Sequence, residues 1–225
     1  MMRKKPVVTI DGPAGAGKST ISKLVAARFS FFYLDTGALY RALAYLLAEQ
    51  PGEKTEASAA EISRDAVIEV GNENGVFSIF ANGRDVSTLI RSEKIGLLAS
   101  KISAIPAVRK NLLEIQRKIG AAGGVVAEGR DMGTVVFPEA EVKFYLEASV
   151  RERARRRYLE LIAKGEPVNL ISVEEDISNR DRQDRERIIS PLVIPEGAFV
   201  IDTTDKSIDE IVEIVVRAIE RRLNF

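Results

Sequence analysis

The sequence predicts an α/β fold, a five-stranded parallel sheet flanked by helices, with a small antiparallel β insertion and a helical pair beside it. Three observations carry that expectation. Short runs rich in β-branched and aromatic residues, Val7–Ile10, Phe31–Leu34, Val125–Ala127, Lys143–Leu146 and Ala198–Ile201, alternate with segments of helical period. Helix starts are marked by a serine with a glutamate three residues on, at Ser149/Glu152, Ser172/Glu175 and Ser207/Glu210, the pattern of a capping box. A glycine-rich turn, "GPAGAGKS", joins the first run to the first helix.

The elements follow in order. The first run leads through Gly12–Ser19 into "STISKLVAARF", which reads as a helix. After the second run comes "LDTGALYRALAYLL". There Asp35, Thr36 and Gly37 form a strand-to-helix turn, and Tyr40 and Arg41 fall in the first turns of the helix. "EQPGEKTEAS", Glu49–Ser58, reads as a polar surface connection. The rhythm breaks at "VIEVGNENGVFSIFANGRDVS". Its Asn74-Gly75 and Asn82-Gly83 pairs favour the positive φ of tight hairpin turns and predict a meander of three short strands, too small to stand alone. The last helix carries Ile208, Ile211, Val212, Val215 and Ile219 at helical spacing, one face for the core.

Composition narrows the chemistry. With 225 residues the chain reads as one domain with insertions, and 33 basic against 33 acidic residues give no global pull toward nucleic acid or anionic membrane. There is no cysteine and no histidine, which excludes disulfides, thiolate nucleophiles, Ser-His-Asp catalysis, His general bases and Cys/His zinc sites. No apolar run reaches the ~18 residues of a membrane helix. "MMRKKP" reads as a solvated basic tail, and the chain as a cytoplasmic monomer.

Gly12-Pro13-Ala14-Gly15-Ala16-Gly17-Lys18-Ser19, followed by Thr20, satisfies G-x-x-x-x-G-K-[ST] between a strand and a helix. Small residues let backbone N–H groups converge on the phosphates of ATP at the positive end of that helix. Lys18 is expected to bridge the β- and γ-phosphates and the Ser19 hydroxyl to hold Mg²⁺. Such loops serve switches, motors and kinases alike, and no N/T-K-x-D guanine motif is present.

Other loops must name the acceptor. Arg41 stands near a helix start, suited to a second, smaller anion. "VVAEGRDMGTVVFP" brings Glu128, Arg130 and Asp131 out together where an apolar run ends. A guanidinium there can hold a phosphate and a carboxylate can accept an exocyclic amine, while a structural Arg130–Asp131 ion pair is an equal reading. Arg153, Arg156 and Arg157 share one helix face at i, i+3, i+4, and "SNRDRQDRERIISP" adds Arg180, Arg182, Arg185 and Arg187. Interleaved acids allow two solvated helices; a hinged pair on a phosphate-binding scaffold also fits a lid that supplies cations to a transferring phosphoryl group.

The stretches "TIDGPAGAGKST", "YLDTGALYRA", "VAEGRDMGTVVFP", "RERARRRYLEL" and "RDRQDRERIISPL" together resemble the bacterial cytidylate kinases, P-loop nucleoside monophosphate kinases. The resemblance implies transfer of phosphate from ATP, with Mg²⁺, to CMP or dCMP. It implies Thr36, Tyr40 and Arg41 in the monophosphate pocket, and Arg130 and Arg187 on the acceptor phosphate. It further implies Asp131 with Ser100 and Arg109 on cytosine, and Arg180 and Asp184 on the sugar. Lys18, Arg153, Arg156 and Arg157 are the expected catalytic cations. The corresponding regions are a core (residues 1–35, 105–148 and 188–225), a monophosphate-binding part (36–104) and a lid (149–187). A small kinase for adenylate, uridylate or shikimate, and a nucleotide-dependent switch, remain the alternatives.

Overall fold

A computed structural model describes residues 5–73 and 76–223. In chain order the elements are β1 (Val7–Asp11), α1 (Lys18–Phe29), β2 (Phe32–Asp35), α2 (Thr36–Glu49), α3 (Glu56–Asp65), β3 (Ile68–Glu73), β4 (Val76–Ala81) and β5 (Arg84–Asp85). They continue with α4 (Glu93–Ile102), α5 (Pro106–Gly120), β6 (Val125–Gly129), β7 (Val142–Glu147), α6 (Val150–Ala163), α7 (Leu170–Glu186), β8 (Phe199–Asp202) and α8 (Ile208–Leu223).

The main sheet has the order β2-β6-β1-β7-β8 and every pairing is parallel. Residues of β1 and β6 are buried throughout, as expected of strands covered on both faces, and this is why they read as largely apolar runs before Asp11 and Glu128 near their carboxyl ends. Leu34, Val125 and Ala127 face one core with Leu39, Leu43, Ile79 and Leu112; Val8, Ile10 and Val126 face the other with Ile21, Val25, Val215 and Ile219. The chain leaves β1 toward β2 on one side, and β7 lies on the other, so a crevice opens at the carboxyl ends of β1, β6 and β7. Pairing of Ile10 with Glu128, and of Asp11 with Gly129, brings the phosphate loop and the Arg130–Asp131 segment out at the same level.

The antiparallel meander β3-β4-β5 is present. Asn82 (φ 51°) and Gly83 (φ 76°) both take left-handed backbone at its second turn, as a type I′ hairpin demands. Asn74-Gly75 lies outside the described residues, and so do Met1–Lys4 of the basic tail.

Capping corrects two boundaries. Ser207 and Glu210 form the full reciprocal box, whereas Ser149 caps α6 without a return bond, because Glu152 turns to Arg155 and Arg156. Ser172 caps nothing: Asn169, as good a cap, starts α7 three residues earlier by accepting from Ile171 N. The polar connection after Glu49 ends at Thr55, where a Thr55/Ser58 box opens α3. In α8 the buried stripe is Ile211, Val215, Val216 and Ile219, with Ile208 exposed. Helices α6 and α7 share a small core of their own, Ala154, Leu161, Val173 and Ile177. Among the described residues no helix is long and apolar enough to cross a membrane.

Candidate active site

The phosphate loop is shaped by what surrounds it. At Gly12 (φ 147°) a Cβ would run into the Leu146 carbonyl of β7, so the backbone passes where no side chain fits. Gly17, in left-handed conformation, starts α1 and lets Lys18 enter the first helical turn. Lys18 is buried and its Nζ donates to the Pro13 carbonyl (2.6 Å) across the loop. Burial first, and then the Arg130 guanidinium, push the Lys18 ammonium below its ordinary range, while Glu128 opposes them. Ser19 and Thr20 are exposed at the start of α1. Ala14 and Ala16 offer carbonyls to Arg153 and Thr203, tying the loop to α6 and to the turn after β8.

One strand over, the end of β6 carries the charged segment. Arg130 and Asp131 do not pair with each other; at the bend after β6 each side chain takes a different partner. Arg130 Nε donates to Asp184 of α7 (2.7 Å), and Asp131 is ion-paired with Arg109 of α5. Arg109 also donates to the Ser103 carbonyl (2.9 Å) and lies over the Tyr40 ring (5.6 Å). Arg187 stands 4.0 Å from Asp131 and 3.7 Å from Asp184. Thr36, at the start of α2, donates its hydroxyl to the Glu128 carbonyl (2.6 Å), and Asp35 caps that helix while pairing with Arg91. Ser100 lies one turn before Ser103 on α4; among the described residues no hydrogen bond joins its hydroxyl to Arg109 or Asp131.

The cations here disturb one another. Burial and then Arg130 push Arg180 down to about 10; burial and then Arg109 lower Arg187. Burial lowers Arg41, with Arg91 and Arg130 adding to it against Asp35. Among the described residues Arg180 Nε and Arg187 Nη2 are buried without a hydrogen-bond acceptor, Asp131 standing 4.0 Å from Arg187 Nη2. Buried donors without a hydrogen-bond acceptor, on guanidiniums repelled by neighbouring arginines, are the electrostatic form of an anion-binding pocket.

Three of the α6 arginines, Arg153, Arg156 and Arg157, share a face yet go to three places. Arg153 is buried, clamped between Asp181 (2.6 and 3.1 Å) and the carbonyls of Ala14 (3.1 Å) and Ala148 (2.9 Å). Arg156 holds Glu152 (2.9 Å) and the Thr203 carbonyl (2.6 Å), and Arg157 reaches Glu93 of α4. Sequence reasoning gave no role to Asp11, Asp181 or Thr203, all buried. An acid ending an apolar run just before a glycine turn was a signal for Asp11; nothing local marked Thr203.

A parallel sheet with a phosphate loop at its centre, and an arginine-lined pocket at the next strand end, defines a small P-loop kinase. The fold is that of a gluconokinase from Sinorhizobium meliloti 1021, at TM-score 0.52 and 14% identity, over 97% of this chain and 94% of that one. The cytidylate kinase family model matches residues 8–221, and the chain belongs to that family. It is 49% identical to a cytidylate kinase of Citrifermentans bemidjiense over 96% of this chain and 94% of the relative. Relatives of the same name from Shewanella sp. (strain MR-7), at 45% over 100% and 99%, and from Geobacillus sp. (strain WCH70), at 42% over 99% and 100%, match at full length.

Proposed function

We propose that this chain transfers the γ-phosphoryl group of ATP to CMP or dCMP, giving ADP and CDP or dCDP. The observation that carries the reading is the pair of orphaned arginine donors, Arg180 Nε and Arg187 Nη2, beside the Arg109–Asp131 pair and next to the phosphate-loop strand.

An acceptor phosphate oxygen is already anionic near neutral pH, so a chain without histidine needs no general base. Catalysis is then positioning and charge neutralisation. Gly12–Thr20 wraps the ATP phosphates with backbone amides, and Lys18 exchanges the Pro13 carbonyl for phosphate oxygens. Thr36, Tyr40 and Arg41 line the monophosphate pocket, Arg130 and Arg187 hold the acceptor phosphate, and Arg180 with Asp184 holds the sugar. Cytosine offers an N4 amino donor and acceptors at N3 and O2. The Asp131 carboxylate accepts the first, and Arg109 with Ser100 donates to the others. Uracil reverses that pattern at O4 and N3.

Hard oxygen donors suit Mg²⁺: the exposed Ser19 hydroxyl would hold it, with the Glu128 carboxylate bordering it from β6. When bound there, Mg²⁺ would supply charge neutralisation to the ATP phosphates. Residues 36–104 serve as the monophosphate-binding part and 149–187 as the lid, a division supported by the separate α6–α7 core. Arg153, anchored to the phosphate loop, and Arg157, reaching α4, would hold that lid over the cleft. Arg156, held at Thr203, acts from the donor side. The working form on this reading is a cytoplasmic monomer, the oligomeric state to be checked by light scattering and the location by fractionation.

The test is ADP release from ATP–Mg²⁺ with CMP, dCMP, UMP, AMP or no acceptor. Fast turnover with CMP and dCMP, with the diphosphate appearing, is expected. Acceptor-independent hydrolysis, or preference for another monophosphate, refutes the reading.

A further inference from the structure

Directly after Arg130 and Asp131 the chain makes a single π-helical turn, Met132–Val136. The Asp131 carbonyl accepts from Val135 N (2.9 Å) and Val136 N (3.1 Å), and Met132 O accepts from Phe137 N (2.7 Å). The leading amides of any helical turn find no partner within it. Here those amides belong to the buried residues Met132 and Gly133. Both are met from another strand: Asp11 Oδ1 accepts from Met132 N (2.8 Å) and Oδ2 from Gly133 N (2.8 Å). Asp11 is fully buried and immediately precedes Gly12, where the phosphate loop begins.

We propose that Asp11 is a positioning residue for acceptor recognition: by capping this turn with both carboxylate oxygens it fixes Arg130 and Asp131 relative to the phosphate loop. The turn is tightly seated, since a Cβ on Gly133 would come within 2.9 Å of Pro195 and 3.0 Å of Thr9 Oγ1. Two amides aimed at one side chain need two acceptor oxygens, which a carboxylate offers and an amide or hydroxyl side chain does not. Among the described residues Asp11 forms no salt bridge, so its buried carboxylate is held by these two amides, with the Lys18 charge favouring its ionised form. Ångström-scale misplacement of a recognition group is enough to lose its discrimination.

The inference rests on the CMP reading above. Asp11→Asn keeps the shape and loses one acceptor. Its expected effect is a fall of about tenfold in the CMP-to-UMP ratio of kcat/KM, with KM for ATP within about twofold of wild type. An unchanged ratio, or an ATP KM that rises in step with that for CMP, overturns the proposal. Should Asp11→Asn not fold, Asp11→Glu keeps both oxygens but moves them by one methylene, and the same split is expected. A wild type without CMP preference refutes the functional reading instead. The cap is then judged on amide exchange at Met132 and Gly133 of the whole chain, slow in wild type and about tenfold faster in the variant; fast exchange in wild type overturns it.

Discussion

On the proposed reading the donor side of the cleft rests mainly on one continuous stretch, Gly12–Thr20, with Arg156 beside it, whereas the acceptor side draws on α2, α4, α5, α7 and the end of β6. The donor side works through backbone amides and a single lysine at a helix start, preformed by glycine conformation and by the neighbouring strand. The acceptor side works through guanidiniums held by carboxylates, Arg130 on Asp184 and Arg109 on Asp131. Backbone geometry binds any polyphosphate. Side-chain pairs can be set against a particular base, so the proposed reading assigns discrimination to the acceptor side and indifference to the donor side.

The sharpest way to break this division is Lys18→Met. Loss of one preorganised charge on the transferring group costs about 10²–10³ in kcat, and the separately measured Kd for CMP should stay within about twofold. If CMP binding fell as far as turnover, the two sides would be one electrostatic unit, through the Arg130–Lys18 repulsion already present.

Where the two sides meet, at Asp11, stability itself should depend on pH. Burial, partly opposed by the Gly133 and Met132 amides, pushes the Asp11 carboxyl from 3.8 up to about 6. The folded protein therefore holds that proton more tightly than the unfolded chain. The stability this contributes is complete below about pH 4 and is lost as pH rises to about 6, a change of order 3 kcal/mol. Asp11→Asn lacks the titration, so denaturant unfolding should show it gaining on wild type between about pH 4 and pH 7. A constant gap across that range would mean that Asp11 titrates as an ordinary carboxylate.

Within the acceptor side, Asp131→Asn replaces an acceptor with a donor opposite the exocyclic position of the base. The CMP-to-UMP ratio of kcat/KM should fall ten- to a hundredfold, at roughly 1–3 kcal/mol for each mispaired buried group. Titration of ATP should give an unchanged Kd. Equal losses for CMP and UMP would make Asp131 a prop for Arg109 rather than the reader of the base.

The same contrast explains what could be read without a structure. Strands buried on both faces are mostly apolar runs, and a phosphate loop is a contiguous word, so the sheet and the phosphate loop were legible directly. The acceptor side was reached through the family resemblance, because its pairs span 22 positions (Arg109–Asp131) and 54 (Arg130–Asp184). A chain with equal numbers of acids and bases gives no means of ranking partners at such separations. One clue was present on α7: Val173 and Ile177 mark its inward face, and Asp181 and Asp184 continue it at helical spacing, while Arg182 and Arg185 point to solvent. The double cap on Met132 and Gly133, bridging 121 and 122 positions, had no periodicity to announce it.

The smallest effect tests whether the lid arginines act by place or by number. Arg155 is exposed and bonds Glu152 (2.8 Å), one turn back on the same helix, in a pair that water already solvates. Glu152 keeps Arg156 (2.9 Å) when Arg155 is removed, so the start of α6 retains its counter-charge. Arg155→Ala should leave kcat, both KM values and the thermal midpoint where they are in wild type. Its neighbour Arg153, two positions away, is clamped between Asp181 and the Ala14 carbonyl of the phosphate loop. A loss of turnover in Arg155→Ala would show that the summed positive charge of α6 drives transfer. No change would leave the work to those arginines whose guanidiniums the fold holds against the cleft.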